Sequence, residues 1–396
     1  MKNETNSQLV KGALLLTFAG FISKVLSAGY RIPLQNLTGD LGFYMYQQVY
    51  PFIALGMVLS LYSFPSAISK MASERYHSLT LHSFYLPIFL IMMFINGLLS
   101  LFIFLFAPLF SSWIGDIHLT RAYKLVAIAF LLIPFTSLFR GVFQAQYNMI
   151  PTAYSQVGEQ LIRVSIIVLA AYAITTGRLS VYHIGEVAAF ASIIGMIIAT
   201  LILFVYFRKN LNTGIGEASI PWSYYLKTLI IFGLVASFQH LILISIQFAD
   251  VITIVPALVE HGWSEIEAKE AKGVFDRGIP LIQLGTVIGS SFALAIIPAV
   301  AIQNKKALKE IGASILSGLK VCFYFASGAT IGLITIFPEA NQLLFEDVKG
   351  TMSLQILSLS ILLSSIIITG SSILQSQNDF IRPACYIIGA FFIKWI

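Results

Sequence analysis

The sequence predicts an all-α membrane protein whose transmembrane helices form a two-lobed bundle. The first observation is composition: 57% of the residues are hydrophobic and only 11% are charged, whereas soluble domains contain about 25% charged residues. The second is a succession of apolar runs long enough to cross a bilayer, which takes about 20 residues. The third is an internal repeat that relates the two halves of the chain. No stretch is left over for a soluble domain.

Apolar runs between polar breaks predict ten spanning helices, and an eleventh run begins after Arg382 and is cut off at Ile396. The predicted helices cover residues 11–34, 43–69, 82–110, 122–147, 151–175, 183–207, 223–258, 272–301, 311–337 and 351–376. The longest polar stretches, 208–221 and 259–271, are predicted to be loops.

The internal repeat predicts two lobes with parallel topology. Three prolines of the first half recur in the second half at offsets of 229 to 233 residues, and QAQYNMIPTA is echoed by QSQNDFIRPA. The pairs are Pro51 with Pro280, Pro65 with Pro298, and Pro151 with Pro383. We therefore expect an N-terminal lobe of six helices at 1–207, a cytoplasmic linker at 208–221, and an incomplete, apparently truncated C-terminal lobe at 222–396. Transporters are often built from such repeats, with the substrate between them.

The distribution of basic residues predicts a multi-pass protein with a cytoplasmic N-terminus. Ten Lys and Arg residues fall in segments that would lie inside, and six fall outside, as the positive-inside rule requires. The inside set is Lys2, Lys11, Lys70, Arg75, Arg208, Lys209, Lys305, Lys306, Lys309 and Arg382. This bias also explains the net charge of +6 without nucleic acid, because the longest basic run is only Lys305-Lys306.

Motifs of enzymes, metal sites and cofactor sites are missing from the sequence. The six histidines are scattered without metal-ligand spacing, and Cys322 and Cys385 lie inside apolar runs. There is no nucleophile elbow, phosphate loop or zinc-protease motif. We therefore predict a protein that is not an enzyme and that needs neither a metal nor a cofactor.

Charged residues inside apolar helices are the candidate functional groups, since each costs roughly 2.5–3.5 kcal/mol at the bilayer centre. Lys24 lies near the middle of the first helix and either faces a cavity or pairs with a carboxylate. Arg31 follows seven residues later, on the same face of a continuous helix, and either faces that cavity or reaches the outer interface. In the eighth helix, Asp276 and Arg277 precede Pro280, so Arg277 either binds a ligand or forms a helix-end charge pair.

Two further sites carry carboxylates. Glu159 and Arg163 are four residues apart in the fifth helix, a spacing that favours an ion pair. That pair is either structural or part of a transport pathway. Asp250 in the seventh helix either binds a proton or coupling cation, or neutralises one of the basic residues. Buried bases without enough buried acids indicate an anionic ligand.

Several segments resemble one family of transporters. Two segments resemble the start of stage V sporulation protein B and MurJ-type flippases: KGALLLTFAGFISKVLSAGYRIPLQNLTGDLGFYMYQQVYPF and FPSAISKMASE. Two others are similar to signatures of the same family: RGVFQAQYNMIPTAYSQVGEQLIRV and FDRGIPLIQLGTVIGSSFALAIIPA. These bacterial proteins belong to the MATE-like multidrug/oligosaccharidyl-lipid/polysaccharide exporter superfamily.

This resemblance implies a MATE-like bundle in the cell membrane, with a cationic cavity that receives the pyrophosphate of an undecaprenyl-linked glycan, above all lipid II. It implies that Lys24, Arg31, Lys70 and Arg277 bind substrate, while Asp276, Glu159, Arg163 and Asp250 give polar support or couple an ion. The expected partners are a lipid-linked anionic glycan and membrane lipids, with a coupling cation as a further candidate. The alternatives are a cation-coupled multidrug exporter, an inactive truncated protein, and a membrane scaffold or glycan polymerase.

Overall fold

The computed structural model describes residues 2–74, 80–208, 220–302 and 308–377, together with isolated positions beyond residue 377. Every regular element within these ranges is helical, and the predicted all-α membrane fold is confirmed. The α-helices are α1 Lys2–Gly29, α2 Arg31–Val58, α3 Phe64–Glu74, α4 Leu86–Ile114, α5 Thr120–Phe130, α6 Ile133–Ala145, α7 Ile150–Thr175, α8 Ile184–Phe207, α9 Trp222–Lys227, α10 Gly233–Glu260, α11 Glu265–Asp276, α12 Gly278–Ile302, α13 Leu308–Phe345, α14 Thr351–Ser358 and α15 Ser360–Ser376. Three π-helical segments occupy Leu59–Ser63, Leu81–Tyr85 and Thr228–Phe232.

The helix surfaces are those of a membrane protein. Among the described residues, seven helical stretches are long and apolar enough to cross a bilayer. On α4 the exposed side chains form an apolar stripe at helical spacing: Leu90, Phe94, Leu98, Leu101 and Leu105, each 49 to 66% exposed. The buried face of the same helix includes Asn96, Ser100 and Ser111. An apolar outer face over a partly polar inner face suits a lipid environment.

Helix boundaries differ from the prediction in several places. The chain leaves the helix at Tyr30 and bends again at Gly39, whose φ of 70° favours glycine. The predicted helix 122–147 is interrupted at Leu131 and Leu132, just before Pro134. The stretch 259–271, predicted to be a loop, contains the first half of α11.

The start of α11 has a local cause that is visible in the sequence. Ser264 accepts a hydrogen bond from the backbone N–H of Glu267, and the Glu267 carboxylate accepts one from the backbone N–H of Ser264. This reciprocal capping box satisfies two backbone donors that a helix N-terminus otherwise leaves free. The hydrogen bonds from Ser264 also lower the pKa of the exposed Glu267 carboxyl. The spacing Ser-x-x-Glu therefore predicts this helix even though its composition is polar.

By packing, the chain divides into two compact units. Unit 1 comprises Met1–Ser27 and Met45–Ile252, and unit 2 comprises Ala28–Tyr44 and Thr253–Ile396. The lobe boundaries inferred from the repeat stay a prediction. Most of the predicted linker and of the eleventh run lies outside the described residues, as do Arg75, Lys209, Lys305 and Lys306 from the orientation argument.

Within unit 1, α3 and α6 approach so closely that only glycine fits at position 141. A Cβ atom there would lie 2.5 Å from Cβ of Ile68 and 3.0 Å from the carbonyl oxygen of Pro65. Backbone atoms cannot yield as a flexible side chain can, so the extra methyl group would push the helices apart.

We expect Gly141→Ala to lower the free energy of unfolding by about 1–3 kcal/mol, a typical cost of overpacking. Gly97→Ala in α4 is the matched control, because a Cβ at Gly97 meets no atom within 4 Å. That change should be neutral or stabilising by up to about 1 kcal/mol through helix propensity. Reversible unfolding in mixed micelles compares the two variants, and equal effects would contradict the close approach.

Candidate functional site

A buried cluster of two arginines and one glutamate lies at the centre of unit 1. Arg140 of α6 and Arg163 of α7 both donate to Glu159: Arg140 Nη2 to Oε2 at 2.9 Å, and Arg163 Nη2 to Oε1 at 2.5 Å. All three side chains are at most 4% exposed. The predicted ion pair between Glu159 and Arg163 is therefore present, and Arg140 extends it into a triad.

The triad retains one net positive charge, since two guanidinium groups face one carboxylate. Arg163 also donates to Oε1 of Gln160 at 3.1 Å and contacts Sδ of Met57 at 3.0 Å. A buried ion is tolerated only when hydrogen bonds replace its water. These contacts, with those of Arg140 described below, supply that replacement for every guanidinium nitrogen of the two arginines except Nε of Arg163.

Arg140 also binds a helix whose hydrogen-bond pattern is altered. The π-helical segment Leu59–Ser63 precedes Pro65, which has no N–H to donate. At its end, the N–H of Phe64 bonds to the carbonyl of Leu59, whereas an α-helix would direct that N–H to the carbonyl of Ser60. Arg140 Nη1 donates to the carbonyl oxygen of Ser60 at 3.3 Å and to its Oγ at 2.7 Å.

Lys24 lies on α1, on the helix face that meets α7. A Cβ at Gly20 would lie 3.8 Å from Nε2 of Gln156 on α7, and Lys24 follows one turn later on the same face. The Lys24 side chain is exposed, and its charge interacts electrostatically with the imidazole of His240 on α10. In the described part of the chain, no carboxylate forms an ion pair with Lys24.

A second feature of unit 1 is an aromatic stack. The ring of Tyr62, in the π-helical segment 59–63, stacks on the ring of His240 with centroids 3.9 Å apart and planes 18° apart. Both residues are partly exposed. The start of α10 approaches the end of the π-helical segment 59–63 closely, because a Cβ at Gly233 would lie 2.9 Å from Oγ of Ser63.

The remaining predicted residues of unit 1 are Lys70 and Asp250. Lys70, near the end of α3, is exposed and places its Nζ 4.6 Å from the centre of the Phe232 ring. This is cation–π geometry. Asp250 is buried in α10, with 8% of its surface exposed.

In unit 2, Arg277 is engaged by the protein. Its Nη2 donates to Oδ1 of Asp347 at 2.6 Å and to the carbonyl oxygen of Lys349 at 2.5 Å. The guanidinium carbon lies 5.3 Å from the centre of the Phe345 ring. These contacts correspond to the helix-end charge pair, and the role of Arg277 in binding substrate stays a prediction.

The ends of α11 and α13 carry two further charge pairs. Asp276 pairs with Lys272, one turn earlier in α11, and both are buried. Lys349 donates to Oδ2 of Asp40 at 3.0 Å, which raises the pKa of Lys349 through that hydrogen bond and the Asp40 charge. Burial alone would raise the pKa of Asp347, but the hydrogen bond and charge of Arg277 outweigh it and lower that pKa.

Arg31 belongs to unit 2, whereas Lys24 belongs to unit 1. Arg31 is 1% exposed, and its Nη1 donates to Oε1 of Gln283 on α12 at 3.5 Å. The helix is interrupted for one residue, at Tyr30, between these two positions. The shared face of Lys24 and Arg31 stays a prediction.

The structure thus assigns the predicted residues to two sets. Lys24, Lys70, Glu159, Arg163 and Asp250 lie in unit 1; Arg31, Asp276 and Arg277 lie in unit 2. Sequence reasoning missed Arg140, Tyr62 and His240. An arginine inside the apolar run 122–147 was the available signal for Arg140. Among the described residues, no cluster of His, Cys, Asp and Glu has the geometry of a metal site.

Comparison with known proteins gives the family. The profile described as polysaccharide biosynthesis protein matches residues 9–302, which is most of the chain. The chain belongs to this family. The uncharacterized membrane protein YabM of Bacillus subtilis is 37% identical over 392 residues, covering 98% of this chain and 73% of that protein.

Two other relatives from Bacillus subtilis indicate the branch of the family. The lipid II flippase MurJ is 26% identical over 370 residues, covering 81% of this chain and 67% of MurJ. Stage V sporulation protein B is 26% identical over 355 residues, covering 83% of this chain and 65% of that protein. This chain spans about two thirds to three quarters of the length of these relatives.

Solved structures show the same fold. An inward-facing MATE family multidrug transporter of the MOP superfamily superposes with a TM-score of 0.68 at 15% identity, covering 97% of this chain and 88% of the transporter. Lipid II flippase MurJ in an inward closed conformation also gives 0.68, at 13% identity, covering 97% of this chain and 81% of MurJ. The chain is therefore a multi-pass membrane protein with the fold that these MATE and MurJ structures share.

Proposed function

We propose that the protein is a flippase that moves an undecaprenyl-pyrophosphate-linked oligosaccharide, lipid II or a related cell-wall precursor, across the membrane by alternating access. The observation that carries this proposal is Lys24, an exposed ammonium group on a membrane helix, without a carboxylate partner among the described residues. An ammonium group at membrane depth is costly unless it serves a ligand or a water-filled path. A pyrophosphate is the anion that a lipid-linked glycan would bring.

The surroundings of Lys24 fit a glycolipid head group. Gln156 on the facing helix can donate to and accept from hydroxyl groups. The partly exposed rings of Tyr62 and His240 add a flat aromatic surface, and the imidazole interacts electrostatically with Lys24. The net positive charge of the buried triad further favours an anion in this unit. Lys70, an exposed base of the same unit, is a second proposed contact for the substrate.

The relatives support the same substrate class, since one is named a lipid II flippase. We further propose that the protein lies in the bacterial cytoplasmic membrane with its N-terminus in the cytoplasm, which follows from the positive-inside bias. In this role it carries its substrate without chemical change, so it is not an enzyme. Membrane lipids are its solvent, and a coupling cation is a further proposed partner.

A cation-coupled multidrug exporter is the second candidate. It is favoured by the buried carboxylate of Asp250 and by the fold, since the MATE transporter and MurJ superpose equally well. A drug exporter of this type would bind cations through that carboxylate. Its substrate site would then depend on Asp250 and not on Lys24.

Reconstitution in proteoliposomes separates the two candidates. If the protein is a flippase, fluorescently labelled lipid II from both leaflets should become accessible to an impermeant quencher added outside the vesicles. In vesicles without protein, only the lipid II of the outer leaflet should be quenched. Efflux of a cationic dye without lipid II movement would instead support the exporter. Movement of neither compound would contradict both proposals.

A further inference from the structure

The π-helical segment Leu59–Ser63 creates a backbone acceptor that one buried side chain occupies. Because the N–H of Phe64 bonds to the carbonyl of Leu59, the carbonyl of Ser60 has lost its usual helical donor. An unpaired carbonyl inside a membrane protein costs several kcal/mol. Arg140 supplies the missing donor through Nη1 and also binds Oγ of the same serine.

Arg140 is held rigidly from its other side. Its Nε donates to Oγ of Ser155 at 3.1 Å, and its Nη2 donates to Glu159 at 2.9 Å. The side chain is fully buried. The planar guanidinium therefore connects α7 to the π-helical turn with fixed geometry, which a flexible ammonium group cannot reproduce.

The π-helical turn carries Tyr62 two residues after Ser60. The ring of Tyr62 stacks on His240, and the charge of Lys24 acts on that same imidazole. In unit 1, hydrogen bonds thus lead from Glu159 through Arg140 to Ser60, and the π-helical turn leads on to the Tyr62–His240 stack. π-Helical turns are frequent at functional sites because they redirect side chains.

We propose that Arg140 is a positioning residue for the anion site at Lys24: by occupying the free carbonyl of Ser60 it holds the π-helical turn and so sets the place of the Tyr62–His240 stack. Arg140 does not touch the substrate. The identity of the ligand, a lipid pyrophosphate, rests on the proposed function. The claim that Arg140 fixes the π-helical turn rests on the hydrogen bonds alone.

Two serines allow a matched test, because each binds Arg140 through its Oγ. Ser60→Ala removes the hydrogen bond from Arg140 to the serine hydroxyl in the π-helical turn, so that only the bond to the carbonyl remains. Ser155→Ala removes only the hydrogen bond from Arg140 to a hydroxyl on α7. Arg140→Lys keeps the charge beside Glu159 but cannot reach Ser60, Ser155 and Glu159 together. Hydrogen–deuterium exchange of the peptide around residues 57–66 reports on the turn, and native mass spectrometry with undecaprenyl pyrophosphate reports on binding.

We expect Arg140→Lys and Ser60→Ala to exchange faster at the turn and to bind undecaprenyl pyrophosphate about tenfold more weakly, the loss typical of one hydrogen bond to a charged group. Ser155→Ala should keep the exchange and the affinity of the unmodified protein. Tyr62→Leu removes the ring but leaves Arg140 bonded, so it should weaken binding without changing exchange near Ser60.

Unchanged exchange at the turn in Arg140→Lys would overturn the proposal, and so would an effect of Ser155→Ala equal to that of Ser60→Ala. Full-strength binding by Tyr62→Leu would break the link from the turn to the site. If the unmodified protein does not bind undecaprenyl pyrophosphate, the proposed function fails. The exchange comparison still decides in that case whether Arg140 holds the turn.

Discussion

Glu159→Ala is expected to lower the free energy of unfolding by about 3–5 kcal/mol, because it leaves two buried guanidinium groups without their common carboxylate. Arg140 and Arg163 are at most 4% exposed and both donate to Glu159. Neither can recover the lost interaction from bulk water. The measurement is reversible unfolding of the purified protein in mixed micelles.

Glu265→Ala is the matched control for this change. Glu265 also pairs with a basic residue four positions along its helix, Lys269 at 3.7 Å, but its side chain is 73% exposed. Lys269 is buried, but water and salt reach the exposed carboxylate and screen the pair, so we expect a loss of at most about 1 kcal/mol. Equal losses in the two variants would show that the triad of Glu159, Arg140 and Arg163 is not the stabilising feature of unit 1.

Lys24→Gln is expected to weaken the binding of undecaprenyl pyrophosphate about ten- to hundredfold, the effect of losing a charge-assisted contact worth about 1.5–3 kcal/mol. Lys24→Arg should bind at least as well as the unmodified protein, since a guanidinium matches phosphate oxygens with two parallel hydrogen bonds. The amount of folded protein should be unchanged in both variants, because no carboxylate among the described residues forms an ion pair with Lys24.

Arg178→Gln serves as the control for net charge, because Arg178 is an exposed residue between α7 and α8. It removes the same charge without touching the site and should leave affinity unchanged. Full affinity in Lys24→Gln would contradict the anion site. A loss of binding that parallels a loss of folded protein would instead assign Lys24 a structural role.

The two buried arginines illustrate why charge in a membrane helix is ambiguous evidence. Arg277 and Arg140 are equally buried, yet Arg277 joins a helix end to Asp347 and to the backbone of Lys349. Arg140 instead satisfies a carbonyl that a π-helical turn has left free. Lys24 differs from both, because it remains exposed and no carboxylate among the described residues forms an ion pair with it.

Local patterns were enough to determine the helices, the membrane class and the ion pair between Glu159 and Arg163. Each depends on residues a few positions apart, so hydropathy and helical spacing contain the necessary information. The capping box at Ser264 is local in the same sense, and it predicts α11 where composition alone suggested a loop. The family resemblance rests on contiguous motifs of this kind.

Only the tertiary structure decided which partners the charged side chains have. Arg140 meets Ser60 across 80 residues of sequence, and Tyr62 meets His240 across a longer separation, so no local pattern could place them together. Packing also assigns Lys24 and Arg31 to different compact units, although they are only seven residues apart in the sequence. The sign and position of a buried charge can be read from sequence, but its role depends on which donors and acceptors the packed helices bring to it.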